Sequence, residues 1–145
     1  MPSVFHKIFS RSPGESEPPA LSIETLRELE APLFVLTGEI DHFSARMLRK
    51  AIEGELSGPD QVVLFDLNAV TYVDSGGLAL LFDVVRALEK GWVGVIEPRG
   101  GVRRLLDISG LGAMPTVKIF NDREEVRQAL RTDAPAPGPR SVGPE

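Results

Sequence analysis

The residues with the clearest chemical potential lie together in the segment Tyr72–Leu78, which reads YVDSGGL. Its centre places the hydroxyl of Ser75 between the carboxylate of Asp74 and two glycines, Gly76 and Gly77. Such a hydroxyl can attack a substrate, accept a phosphoryl group or cap the start of a helix. These roles need different neighbours, so the rest of the sequence has to decide among them.

A nucleophilic role for Ser75 requires a base that takes the hydroxyl proton and donors that hold an oxyanion. The base is usually a histidine, and the chain has two, His6 in an N-terminal segment expected to be loose and His42 after Asp41. Asp-Ser-Gly-Gly also surrounds the nucleophile of chymotrypsin-like proteases, but those enzymes are β-barrels and this chain alternates strands and helices. The Gly-x-Ser-x-Gly turn of α/β-hydrolases fails at Val73. We therefore expect no enzymatic activity.

Helix capping is the simplest role for Ser75. Serine and aspartate are among the best N-cap residues and contribute on the order of 1 kcal/mol. Leu78 begins an apolar helical stripe, so Asp74 or Ser75 is where a cap should lie. Gly76 and Gly77 would then occupy the first turn, where each costs up to about 1 kcal/mol relative to alanine. Glycines there permit close backbone approach, and ligands or partners usually bind at the carboxyl ends of parallel strands. The serine is thus also accessible to another protein's active site.

Composition excludes several classes of protein. The chain has 145 residues, which fits one domain, and its hydrophobic share of 42% is enough for a core. Its net charge is −5 with acids and bases interspersed, which argues against a nucleic-acid binder. The absence of cysteine excludes disulfides and thiolate metal sites. No apolar run approaches the ~18 residues of a membrane span, and the first residues do not resemble a signal peptide. We expect a soluble cytoplasmic domain.

The two ends of the chain differ from its middle. Residues 1–19 include SRSPGESEPP, and residues 132–145 read TDAPAPGPRSVGPE. Both segments have too little apolar surface to offset the entropy of ordering, so we expect mobile extensions around a folded domain at residues 20–131. Three apolar residues near the N-terminus could nevertheless dock on another surface: Phe5, Ile8 and Phe9.

Hydrophobic periodicity predicts five strands and four helices in the order ββαβαβαβα. The strands are predicted at residues 20–26, 32–38, 61–67, 92–96 and 117–120. The helices are predicted after Asp41, after Ser75, after Gly100-Gly101 and after Asp122. Strands separated by helices become parallel neighbours, and only the first two can form a hairpin. The expected fold is a single α/β domain with a mixed sheet, helices packed on it and a single core.

Single residues mark the boundaries of these elements. Residues 58–60 are expected to end the first helix, and Asp66 to end the central strand. Asp122 should cap the last helix, and Gly110 suits the C-terminal cap of the third. Trp92 begins a strand of five apolar or glycine residues, so we expect it in the core.

Three blocks of this chain resemble the STAS-domain anti-sigma factor antagonists. They are LTGEIDHFSA at 36–45, VVLFDLNAVTYVDSGGLALL at 62–81 and RRLLDISGL at 103–111. The combination of Thr-Gly-Glu-x-Asp, Asp-Ser-x-Gly-Leu and Leu-Asp-x-Ser-Gly-Leu is far more specific than any one motif. The similarity spans residues 20–131 and implies a mixed sheet with helices in the order given above.

The resemblance also implies a function. Such proteins bind a serine kinase that is itself an anti-sigma factor, and the unphosphorylated antagonist sequesters this kinase and frees a sigma factor. Phosphorylation of the serine after the motif aspartate releases the kinase, and a phosphatase reverses the change. By motif match that serine is Ser75. The partner-binding residues implied by the match are Asp41, Asp66, Asp74, Ser75, Gly76, Gly77 and Leu78.

Several points stay open at this stage. Gly76 replaces a second serine found in many members, which removes an alternative acceptor and favours a more flexible loop. Some relatives are scaffolds of stress-sensing assemblies or subunits of transport systems, and not every member is phosphorylated. Asp41 and Asp74 are expected to cap helices as well as to contact a partner. The aspartates lack a further ligand or cofactor motif, so we expect no metal and no cofactor. The oligomeric state is open, a homodimer included.

Overall fold

The computed structural model describes residues 20–133. The predictions made for residues 1–19 and for most of the 132–145 extension lie outside this range, but Thr132 and Asp133, placed in that extension, belong to the last helix. The described residues form five strands, namely β1 (Leu21–Glu28), β2 (Ala31–Ile40), β3 (Val62–Val73), β4 (Trp92–Ile96) and β5 (Val117–Phe120). They form four α-helices, namely α1 (Ser44–Glu53), α2 (Ser75–Ala87), α3 (Gly100–Ser109) and α4 (Arg123–Asp133). None of these helices has the length and apolar character needed to cross a bilayer.

The strands form one mixed sheet in the order β1-β2-β3-β4-β5. β1 and β2 are antiparallel and are joined by a tight turn, in which Leu29 has a φ of 56°. All later neighbours are parallel, because each following strand is reached through a helix. The predicted α/β class, the element order and the single hairpin are confirmed.

The central strand β3 is longer than the apolar run that predicted it. Val63, Leu64 and Phe65 are buried, as expected for a strand that is covered on both faces. A register shift against β2 follows, between Val35 and Thr37, and the strand then continues to Val73. The expectation that Asp66 ends the strand is wrong, because Asp66 pairs in register with both neighbouring strands.

The two faces of the sheet carry two separate cores, so the expectation of a single core is wrong. The front core lies between the sheet and helices α1, α2 and α3, and it includes Phe34, Phe65, Leu48, Leu80 and Leu106. The back core lies between the sheet and α4 alone, and it consists of Ala31, Leu33, Leu64, Trp92, Ile96, Phe120 and Val126. The prediction that Trp92 is a core residue is confirmed.

Helix ends follow the local sequence in most places. Asp122 accepts a hydrogen bond from the Glu125 N–H at 2.9 Å and so caps α4, as predicted. Gly110 ends α3 with a φ of 88°, a left-handed conformation that glycine adopts without strain. The prediction for α1 is wrong at its C-terminus, because this helix ends at Glu53 and is followed by Gly54.

Candidate functional site

The segment between β3 and α2 holds the motif serine. Asp74 is the N-cap of α2, with extended backbone angles, and its Oδ1 accepts a hydrogen bond from the Gly77 N–H at 2.9 Å. Ser75 is the first residue of the helix. The structure thus gives the capping role to Asp74 and leaves the hydroxyl of Ser75 free of that role. The side chain of Ser75 is exposed, and its hydroxyl makes no hydrogen bond to any residue that the structure describes.

The second carboxylate oxygen of Asp74 reaches a neighbouring loop. Its Oδ2 accepts a hydrogen bond from the His42 N–H at 3.2 Å, and the Asp74 N–H donates to the Ile40 carbonyl at 3.1 Å. The His42 ring nitrogen Nδ1 lies 3.9 Å from the same oxygen. One carboxylate therefore ties the start of α2 to the loop between β2 and α1, and it fixes the position of the residue that follows it.

Asp41 organises the β2–α1 loop in a similar way. Its Oδ1 accepts hydrogen bonds from the N–H groups of Phe43 at 3.0 Å and Ser44 at 2.8 Å. In return, the Asp41 N–H donates to the Ser44 hydroxyl oxygen at 2.9 Å, which makes a reciprocal capping box. These bonds, foremost that from the Ser44 backbone, hold the pKa of Asp41 below its ordinary value. The predicted capping role of Asp41 is met through the Ser44 N–H, although the residue directly before α1 is Phe43, whose side chain makes no capping bond.

Ser44 is a site residue that the sequence reasoning missed. It is buried, and its hydroxyl also donates to the Glu39 carbonyl at 2.9 Å. A signal was present, since Asp41 and Ser44 have the D-x-x-S spacing at which a capping box closes.

The two motif glycines are explained by the same loop contact. A Cβ at Gly76 would lie 2.6 Å from the Cβ of His42, and a Cβ at Gly77 would lie 2.4 Å from the Ile40 carbonyl oxygen. Contacts this short cannot be accommodated without movement of backbone atoms. Close backbone approach was expected of these glycines, and the approaching segment is the β2–α1 loop of the same chain.

An exposed aromatic residue lies beside this cluster. Phe43 is 68% exposed, and its ring centroid is 4.3 Å from that of His42. The sequence analysis placed Phe43 on the apolar stripe of α1, but it precedes the helix and does not pack into the core. Leu78, by contrast, is half-buried against the front core. The exposed surface around Ser75 therefore includes an aromatic side chain that periodicity assigned elsewhere.

Asp66 is not brought into this cluster. Its carboxylate is an ion-pair partner of Arg123 on α4, at 3.0 Å, and its side chain is only 13% exposed. Asp66 lies in β3, eight residues before Asp74 in sequence, and its ion pair connects it to α4 on the back face. The site near Ser75 consists instead of the other predicted residues, which are Asp41, Asp74, Gly76, Gly77 and Leu78, together with His42, Phe43 and Ser44.

Comparison with known proteins assigns the chain to a family. Residues 22–126 match the model of the STAS domain, so the chain belongs to the STAS domain family. It is 28% identical over 86 residues to the anti-sigma F factor antagonist of Lysinibacillus sphaericus, an alignment that covers 57% of this chain and 74% of that protein. These findings confirm the resemblance derived from the three sequence blocks.

Solved structures support the same assignment. An anti-sigma factor antagonist from Mycobacterium paratuberculosis matches with a TM-score of 0.67 and 28% identity, over 79% of this chain and 97% of that one. The unphosphorylated form of the Bacillus antagonist SpoIIAA matches with a TM-score of 0.61 over 74% of this chain and 96% of that one. SpoIIAA is 22% identical to this chain, so it shows the fold alone.

Proposed function

We propose that this protein is an anti-sigma factor antagonist controlled by phosphorylation of Ser75. In this proposal the unphosphorylated form sequesters a serine kinase that is also an anti-sigma factor, and a sigma factor is freed. Phosphorylation of Ser75 by the kinase releases the antagonist, and a serine phosphatase restores it. The setting is the cytoplasm. Three observations support the proposal: the chain belongs to the STAS domain family, similar proteins are anti-sigma factor antagonists, and the geometry of the site exposes Ser75.

The single observation that carries the proposal is the exposed hydroxyl of Ser75, which bonds to none of residues 20–133 and whose neighbours in the chain are fixed. Asp74 already caps α2, so Ser75 has no structural task there that would explain its place in the motif. The residues on either side are fixed by the bonds of Asp74 and by the close packing of Gly76 on His42. A kinase active site would therefore meet an accessible hydroxyl that projects from a backbone held in place by its neighbours.

The electrostatics of the site are compatible with a reversible phosphate. A phosphoryl group adds roughly −1.5 to −2 charges, and the N-terminus of α2 favours negative charge through its dipole and free N–H groups. The carboxylate of Asp74 acts against this by repulsion of like charges. The balance favours a phosphorylated domain that stays folded but whose contact surface has changed charge and shape. The kinase would then be released because this surface no longer matches its own.

The test is to compare what three forms of the full chain retain from the native cytoplasm, in ATP and in ADP. Wild type and Ser75→Ala should retain an ATP-binding serine kinase that Ser75→Glu does not. The matched control is Ser57→Glu, which adds the same charge at an exposed serine of the α1–β3 loop, at the other end of β3. This control should behave as wild type. The purified kinase should then phosphorylate wild type on Ser75, as mass spectrometry of the product would show.

The rival hypothesis is a STAS scaffold or a subunit of a larger complex that is indifferent to Ser75. It predicts that all four proteins retain the same partners whatever the nucleotide. That result would overturn the phosphorylation switch while leaving the family assignment intact.

A further inference from the structure

A groove of ≈ 820 Å³ opens at the end of the sheet opposite to Ser75. It lies between the β1–β2 turn, the first residues of β3 and β4, and the last turn of α4. Its apolar walls are formed by Leu29, Ala31, Val62, Trp92 and Leu130. Since Val62 and Val73 are the two ends of β3, a strand that rises about 3.3 Å per residue, the groove and the phosphorylation site are far apart.

The apolar surface at this groove is incompletely covered by the described residues. The back face of the sheet carries α4 alone, whereas the front face carries three helices. Leu29 at the mouth of the groove is 52% exposed, and Leu26 on the preceding strand is 36% exposed. Apolar walls that meet exposed leucines are typical of a surface that binds another segment.

Two segments of this chain lie outside the described residues, and their chemistry separates them. Residues 134–145 continue from α4, beside Leu130, but they contain one large aliphatic residue, Val142, among prolines, glycines and small residues. Residues 4–9 read VFHKIF and contain four large apolar residues in six. Because burial of each large apolar side chain is worth about 1.5–3 kcal/mol, the N-terminal segment is the better match for an apolar groove.

The length of chain between the two is sufficient. The described structure starts at Ala20, at the end of β1 that pairs with Gly38, and β1 runs from there to the groove. Its eight residues span about 27 Å at ~3.4 Å per residue. Residues 10–19 supply ten residues, which reach about 31 Å even at the 3.1 Å rise of a proline-rich extended chain. The segment can therefore return along β1 and place residues 4–9 over Leu29.

We propose that the apolar residues of the N-terminal segment, Val4, Phe5, Ile8 and Phe9, dock in the groove of their own chain. The docked segment covers Leu29 and the 8% of Trp92 that remains exposed at the groove, and it completes the back face of the sheet. This proposal is independent of the phosphorylation of Ser75, because it concerns the other end of the molecule.

The absence of cysteine from the chain permits a clean cross-linking test. The full-length variant with Ile8→Cys and Leu29→Cys should form an intrachain disulfide under mild oxidation, as read on non-reducing gels and by mass spectrometry. The matched control adds Phe5→Ser and Phe9→Ser to the same pair. Loop closure depends only weakly on sequence outside the anchors, so undirected collisions would give both variants the same rate. Docking should make disulfide formation at least about tenfold faster in the variant that keeps Phe5 and Phe9, since only this variant retains apolar anchors.

Three results would overturn the proposal. Equal rates in the anchored and control variants would show that the segment does not dock. Faster closure in a Val142→Cys, Leu29→Cys variant would assign the groove to the C-terminal segment. A disulfide between two chains would assign it to a second copy.

Quenching by acrylamide supplies a second readout, because Trp92 is the single tryptophan of the chain. In the full chain, Phe5→Ser, Ile8→Ser and Phe9→Ser together should raise the quenching constant of Trp92, and Val142→Ser should leave it unchanged. Unchanged quenching in the triple variant would contradict coverage of Trp92 by this segment.

Discussion

At Gly76, the lack of a side chain is required by the loop opposite rather than by a left-handed backbone. The first turn of α2 lies against the backbone of His42 so closely that a Cβ would fall 2.9 Å from the His42 Cα. A serine at this position would meet the same obstacle. Gly76 thus removes a second hydroxyl and also permits the loop contact that positions Ser75.

Substitution of this glycine tests the packing directly. Gly76→Ala should destabilise the protein by about 1–3 kcal/mol, because overpacking outweighs the gain in helix propensity. Gly101→Ala is the matched control, since Gly101 also lies in a first helical turn but has no atom within 4 Å of its virtual Cβ. The control should be unchanged or stabilised by up to about 1 kcal/mol. Urea denaturation measures both, and equal stability of the two variants would contradict the close contact.

At the same scale, sequence reasoning found residues with strong local preferences and missed those set by tertiary contacts. Asp74, Asp122 and Gly110 were identifiable because caps depend on the nearest few residues. Phe43 was misplaced because its apolar side chain matched helical spacing, although it lies before the helix and is exposed. Its exposure depends on what the loop packs against, which periodicity does not contain.

Among the elements, β3 shows why strand ends are harder to predict than strand existence. The apolar run to Leu67 gave the strand, but its extension to Val73 passes through exposed residues after a register shift. Pairing with β2 holds this second half of β3 in the sheet, and the apolar pattern of the sequence does not predict that pairing. The misreading of Asp66 as a strand end followed from this break in the pattern.

The ion pair between β3 and α4 gives Asp66 a measurable structural role. Asp66→Asn and Arg123→Gln should each lower the free energy of unfolding, with a coupling in the double variant on the order of 1 kcal/mol. Neither should change retention of the kinase, because the pair belongs to the back face. If Asp66→Asn abolished retention while stability stayed at the wild-type level, the partner-binding role predicted from the family motif would be correct instead.

The start of α1 should respond to acid through Asp41. Its pKa is held below the ordinary 3.8 by hydrogen bonds to the carboxylate, so its charged form stabilises the folded state. This stabilisation is fully present above pH 3.8 and is lost as the pH falls through the lower folded-state pKa.

Asp41→Asn keeps a capping oxygen but removes the charge. The variant should be less stable than wild type at pH 7, by about 0.3–1 kcal/mol. The difference should shrink as the pH falls below the ordinary pKa, as denaturation curves at several pH values would show. A difference that stays constant down to the lowest pH would contradict an ionised cap.

For the molecule as a whole, the proposed switch requires no change of fold. Ser75→Glu places negative charge at the N-terminus of a helix, where it is tolerated. In amide NMR spectra, the shift changes relative to wild type should be confined to the start of α2 and the β2–α1 loop. Comparable shifts throughout the front and back cores would show that release involves global rearrangement.

The overall architecture was accessible from the sequence because strand and helix periods alternate without ambiguity, and the parallel order follows from that alternation. The sequence did not predict that the core is divided between the two faces of the sheet, or that the helices cover these faces unequally. Which face a helix packs on depends on the crossover of the chain, and the side-chain pattern of a strand buried on both faces is the same in either case.

The carboxylate of Asp74 also influences the local opening of the folded structure. It accepts the N–H of Gly77 from its own helix and the N–H of His42 from another segment, more than thirty residues away in sequence. Opening of the start of α2 displaces Asp74 and so also releases the N–H of His42, whereas opening of the loop alone leaves the Gly77 bond in place. Opening of the helix start is therefore coupled to loosening of the β2–α1 loop, and a protein that binds the start of α2 also restrains the loop.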